Sequence, residues 1–285
     1  IAISKSVRLP DRFADGYGMN EQMVIDAASD FVSLIITCDN GISCIDQVRI
    51  AKEYGIRVII TDHHEPGEII PDADAVIDAK QKDCAYPFKE MCGAAAAYKL
   101  IQAYNLISGL HMDELLDELL QFVGLATIAD IVPLRDENRI FAYQGIQRLK
   151  KTENPGLCAL MKARGIEKSR LDASKISFII APCINSAGRI KNASIAYELL
   201  RCQDTIKAQE LANELSELNE IRKDLTASQT QKALEELSDP ECRYISDKIL
   251  TVFLPDAHES VAGIIAGRLK DEYNRPVFVI TRSSE

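Results

Sequence analysis

No stretch of this chain approaches the roughly 18 consecutive apolar residues that a membrane-spanning helix needs, so no membrane segment is expected. Its start lacks the charged-then-apolar pattern of a secretory leader, and none is expected. An excess of basic residues is missing too: 33 Lys and Arg face 43 Asp and Glu, for a net charge of −10. That argues against broad, unspecific nucleic-acid binding. A local groove or a bound divalent metal can still offset the field at one place. The eight cysteines (Cys38, Cys44, Cys84, Cys92, Cys158, Cys183, Cys202 and Cys242) contain no C-x-x-C pair. Neither a zinc ribbon nor a thioredoxin-like motif is therefore suggested, and free thiols in a reducing cytoplasm are expected. No serine or cysteine stands in a nucleophile pattern with a base partner. Histidine is scarce, with four in 285 residues, yet two of the four are adjacent.

What is present is organised around two short apolar runs that each close on an aspartate. The first is Leu34-Ile35-Ile36-Thr37-Cys38-Asp39 and the second is Arg57-Val58-Ile59-Ile60-Thr61-Asp62, followed by His63-His64. The segment from Ile42 to Tyr54 reads as one helix. Strand, helix and strand make a βαβ unit with parallel strands. Both aspartates then fall at the carboxyl ends of neighbouring strands, where open α/β sheets place their ligands. Length and an apolar content of 47% suit one large or two ordinary domains with a sizeable core.

Upstream, Ile1 to Ile3 reads as the end of a strand. Arg8 to Gly18 reads as a loop, either an ordered surface loop or one that approaches a substrate. Asn20 caps a helix through Ala28. Downstream, Ala73 to Asp78 reads as a third strand, and Gly93 to Asn105 and Met112 to Ala126 as buried helices. Asp130 interrupts an apolar stretch, where an unpaired carboxylate is costly. It either caps a turn or points into a polar site. Arg139 to Lys151 and Pro155 to Arg164 read as helices. Ser174 to Ile180 reads as a buried segment leading into a polar, small-residue loop, Pro182 to Arg189, ahead of a helix from Ala193 to Arg201. Thr205 to Leu237 holds no Gly or Pro and reads as one long helix joining two domains. Asp239-Pro240 ends it, and a new α/β unit follows: strand Ile249 to Leu254, helix Ser260 to Tyr273, strand Val277 to Thr281.

Asp39, Asp62, His63, His64 and Asp130 mix hard oxygen ligands with imidazole, a set that suits Mn²⁺, Mg²⁺, Fe²⁺ or Zn²⁺. Two such ions can serve phosphoester hydrolysis, with an arginine such as Arg189 neutralising transition-state charge. A mononuclear hydrolase acting on another bond is the alternative.

Thr61-Asp62-His63-His64-Glu65 resembles the motif that names the DHH phosphoesterases. Asp39-Asn40-Gly41, Ala129-Asp130-Ile131-Val132-Pro133-Leu134, Asn185-Ser186-Ala187-Gly188-Arg189 and His258 to Leu269 follow in an order similar to the RecJ family of exonucleases within them. The resemblance implies an α/β fold: a parallel-sheet DHH domain with helices on both faces over residues 1–202, an interdomain helix over 203–238, and a truncated second α/β domain over 239–285. It implies a metal-dependent 5′→3′ exonuclease of single-stranded DNA, in repair and recombination. Mn²⁺ or Mg²⁺ is the cofactor, two ions in the complete protein, and the implied protein partners are a single-strand-binding protein or a helicase. Asp39, His63 and Asp130 are the implied metal ligands, and Asp62, His64 and Arg189 the catalytic residues. Arg12, Asn185, Ser186, Gly188, Arg189, His258 and Glu259 are the implied phosphate or strand contacts, with Asn219 and Arg222 facing the groove. The family's Asp-x-Asp pair, expected upstream of Ile1, is missing, so a fragment that is inactive by itself is expected. Cys183 and Asn192 stand where the family carries arginine and aspartate, and Ser260 and Ala262 replace glycine and a larger aliphatic residue. Two other readings are a DHH phosphodiesterase for short oligonucleotides or cyclic dinucleotides, and an inactive scaffold that binds DNA or proteins.

Overall fold

The computed structural model describes residues 5–11, 15–16, 18–238 and 247–282. Ile1 to Ile3, Arg12 and Asp239-Pro240 lie outside the described residues. Helix α1 (Glu21–Ser29) is capped by Asn20, whose side chain accepts from the Met23 N–H at 2.8 Å. Strands β1 (Leu34–Ile36), β2 (Arg57–Thr61) and β3 (Ala75–Ile77) form one parallel sheet in the order β1-β2-β3. Leu34 pairs with Arg57 and Thr61 with Ile77. The central strand buries Val58 and Ile60 completely, as expected of a strand covered on both faces. Helix α2 (Ile45–Glu53) crosses from β1 to β2. It begins three residues later than the sequence pattern suggested, because Ile42 to Cys44 are used to turn the chain.

Three helices, α3 (Gly93–Ser108), α4 (Asp113–Ala129) and α5 (Asp136–Leu149), build a second layer. Its core holds Cys92, Ala95, Tyr98, Leu116, Val123 and Phe141. Helices α4 and α5 pack closely where Gly124 meets Gly145.

The largest core joins α6 (Pro155–Ala163), α8 (Ala181–Ile190), α9 (Ser194–Arg201) and the first half of α10 (Thr205–Ser238). Here one expectation fails. The stretch from Pro182 to Arg189 is helical: a short α7 (Ala173–Lys175) passes through a π turn at Ile176–Ile180 into α8. Pro182 lies in the first turn of α8, where a missing N–H is tolerated. The small residues Ala187 and Ser186 are fully buried, so they serve helix packing against α10 and not the approach of a ligand.

The far end of α10 contributes Ala233 and Leu237 to a separate cluster with β4 (Leu250–Phe253), α11 (Glu259–Tyr273) and β5 (Val277–Ile280). Strands β4 and β5 pair in parallel, Leu250 with Val277. Among the described residues no helix is long and apolar enough to cross a membrane.

Candidate metal centre

The hydrogen-bond ladder of the sheet runs past the strand ends and sets the site. The Thr37 N–H donates to Ile59 O at 2.9 Å, Asp39 N–H to Thr61 O at 3.0 Å, and Asp62 N–H to Ile77 O at 3.0 Å. Both aspartates are thereby fixed at the carboxyl edge. Asp39 takes φ +64, a left-handed conformation that few residues other than asparagine and aspartate tolerate. Its Oδ1 lies 3.0 Å from His63 Nε2, and Asp130 Oδ2 reaches the same nitrogen at 3.5 Å. Asp130 therefore does both things open to it: its backbone N–H closes α4 onto Ala126 O, and its side chain enters the polar site. The Asp39 hydrogen bond draws the His63 pKa above its ordinary value. Burial opposes this, and the charges of Asp39, Asp130 and Asp62 assist it.

Asp62 plays another part. It is 1% exposed, and its Oδ1 accepts from the N–H groups of His63 (2.7 Å) and His64 (3.3 Å) and lies 2.7 Å from His64 Nδ1. Its Oδ2 accepts from the Ile42 N–H at 2.9 Å. Burial alone would raise its pKa, but these bonds hold it below the usual carboxylate value. A charged acceptor at His64 Nδ1 fixes the imidazole with Nδ1 as donor, which turns Nε2 outward. Asp62 thus orients both histidines from beneath. One ligand atom from each of Asp39, Asp62, His63 and His64 can be chosen so that all lie within 4.8 Å of one another. Hard carboxylates converging on an imidazole fit a divalent metal.

The sequence reading missed Gly93. The first residue of α3 packs on Asp39, and a methyl group there would sit 2.5 Å from Asp39 Cβ and 2.6 Å from its Cγ. The available signal was a glycine opening an alanine-rich helix, where glycine often marks close approach.

The other candidate residues gather elsewhere, at the junction of α8, α10 and α11. Arg189 Nη1 donates to Ser260 O at 2.8 Å. His258 caps α11 and its Nδ1 lies 2.7 Å from Ser260 Oγ, while Glu259 opens the helix, exposed. Asn185 is exposed and Gly188 half-buried on α8. Ser186 is a correction: it is fully buried and its hydroxyl donates to Cys183 O at 2.6 Å, so it presents nothing to a strand. Asn219 is also buried, and its Oδ1 accepts from the guanidinium of Arg222 at 3.0 and 3.2 Å. Burial first, then the charge of Arg268 on α11, lowers the Arg222 pKa, while Glu220 acts in the opposite sense. Asn192, just after α8, donates to Asp11 Oδ2 at 3.1 Å.

Residues 4–127 match the DHH family, N-terminal domain. The single-stranded-DNA-specific exonuclease RecJ of Bacillus subtilis (strain 168) is 40% identical over 272 residues, covering 95% of this chain and 33% of that protein. RecJ of Haemophilus influenzae is 36% identical over 285 residues, covering 97% and 50%. The crystal structure of an exonuclease RecJ bound to manganese aligns at a TM-score of 0.82 and 33% identity, covering 95% of this chain and 66% of that one. RecJ of Thermus thermophilus in complex with Mn²⁺ gives 0.80 at 32%, covering 92% and 38%. The chain spans 33% and 50% of the length of these two curated relatives.

Proposed function

We propose that the chain is a member of the DHH family and forms part of a metal-dependent exonuclease that hydrolyses phosphodiester bonds of single-stranded DNA from the 5′ end, a reading supported by the match of residues 4–127 and by the likeness to RecJ. The observation that carries the reading is the meeting of Asp39 and Asp130 on His63 Nε2, beside a His64 aligned by a buried Asp62. Asp39, His63 and Asp130 hold a divalent ion. Manganese or magnesium there supplies Lewis acidity for phosphoester hydrolysis. Asp62 keeps both histidines in place, and His64 Nε2 faces the scissile phosphate. Arg189, Arg222 and Arg268 line the junction with α11 and receive the phosphates of the strand. Because the chain spans 33% and 50% of the length of two curated relatives, the full-length product is the form to assay, and residues 1–202, 203–238 and 239–285 are its catalytic domain, connecting helix and second domain.

The test gives the full-length protein and Mn²⁺ a long 5′-phosphorylated single strand and, separately, a dinucleotide. Progressive shortening of the long strand from its 5′ end is the expected result. Cleavage of the dinucleotide alone overturns the reading in favour of a short-oligonucleotide phosphodiesterase.

A further inference from the structure

Helix α4 ends against the preference of its own residues. After Asp130 the chain turns at Ile131 with φ +57, and the Ile131 N–H closes onto Ile128 O at 3.3 Å. This left-handed stop after a helix is a position for glycine or asparagine. A β-branched side chain there is strained, and this one gains nothing from packing, being 82% exposed. Glycine would keep the turn and remove both penalties. The same exposed left-handed stop follows α1 at Phe31, ahead of the amino end of β1, so what sets Ile131 apart is its place beside Asp130. The carboxylate one residue earlier lies 3.5 Å from His63 Nε2, so Ile131 directly follows a residue of the metal centre.

We propose that Ile131 is a substrate-binding residue: its side chain is the apolar wall on which the deoxyribose and base face of the nucleotide at the cleaved bond pack. The inference rests on the phosphodiester reading above. Asp39, His63 and Asp130 and their ion address only the phosphate. The carbons of sugar and base need a surface of their own, and an aliphatic branch supplies one without selecting a sequence.

The experiment compares full-length wild type, Ile131→Gly and Ile131→Leu, using poly(dT) with Mn²⁺, alongside thermal melting and a Mn²⁺ titration without DNA. Ile131→Gly is expected to melt higher, to bind Mn²⁺ as wild type does, and to show a KM raised about tenfold with kcat kept, the scale of a lost aliphatic contact. Ile131→Leu keeps a KM near that of wild type. A working wild type with an unchanged KM in Ile131→Gly overturns this inference alone. Weaker Mn²⁺ binding in Ile131→Gly also overturns it, because the residue would then act through Asp130. A wild type inert toward the strand overturns the phosphodiester reading, and this inference with it.

Discussion

Asp62 and Asp39 carry the same side chain at matching strand ends, yet burial gives them different work. Asp62 is 1% exposed and commits both oxygens to neighbours, whereas Asp39 is exposed and offers an oxygen to His63. The sequence placed both at the site, because apolar runs ending in acids are visible in one dimension. The residue pattern alone could not give the two different roles, because these depend on which groups surround each oxygen; only the family resemblance set Asp62 apart from the implied ligands. Gly93 was hidden for the same reason: its meaning is the space that it leaves for Asp39. Gly93→Ala is expected to weaken Mn²⁺ binding about 10- to 100-fold, the scale seen when the support of a ligand is lost. Calorimetric titration measures it, with the far-ultraviolet dichroism of the wild type retained. An unaltered affinity would show that Asp39 has room to move.

Among the elements, long periodic helices and apolar strands were readable, and most lie within a few residues of their expected places. The exception is α8. Proline, small residues and polar side chains over Pro182–Arg189 favour a loop locally, but a buried face against α10 outweighs them. The α3–α5 layer hides another feature from the sequence, an ion pair at 2.8 Å between Lys99 and Glu137, with the Tyr86 hydroxyl donating to Glu137 at 2.5 Å. Burial alone would raise the Glu137 pKa, but Lys99 and Tyr86 hold it below the usual glutamate value. A carboxylate with a depressed folded-state pKa stabilises the fold above its unfolded pKa, and that contribution is lost as pH falls through the folded one. Glu137→Gln should therefore melt below wild type at neutral pH. The gap should narrow on acidification past the ordinary glutamate range. A gap of constant size from neutral to strongly acid pH would show that the pair contributes through shape and not charge.

For the molecule as a whole, the acidic balance of −10 does not show that cationic side chains come together locally, as Arg222 of α10 and Arg268 of α11 do beside Glu220. Composition sums over the surface and cannot register such a gathering. The unbroken length of α10 was legible from its lack of glycine and proline. That it joins two domains was read from the same length, but which of its residues enter which core was not, because its apolar residues do not announce their partners. Leu215 belongs to the large helical core and Leu237 to the cluster of β4, α11 and β5. Leu237→Ala is expected to cost about 2–5 kcal/mol. Hydrogen exchange should accelerate in α11, β4 and β5 while α6 keeps its protection. Uniform acceleration would show that the two cores melt as one. The same helix has a mechanical consequence. Thirty-four residues at 1.5 Å each make a stay about 50 Å long. A jointed tether would let the two bodies part to different widths. A stay anchored in both holds them as a caliper holds its jaws, at one setting. Changing that setting takes a hinge cut into the stay itself, such as a glycine pair near its middle.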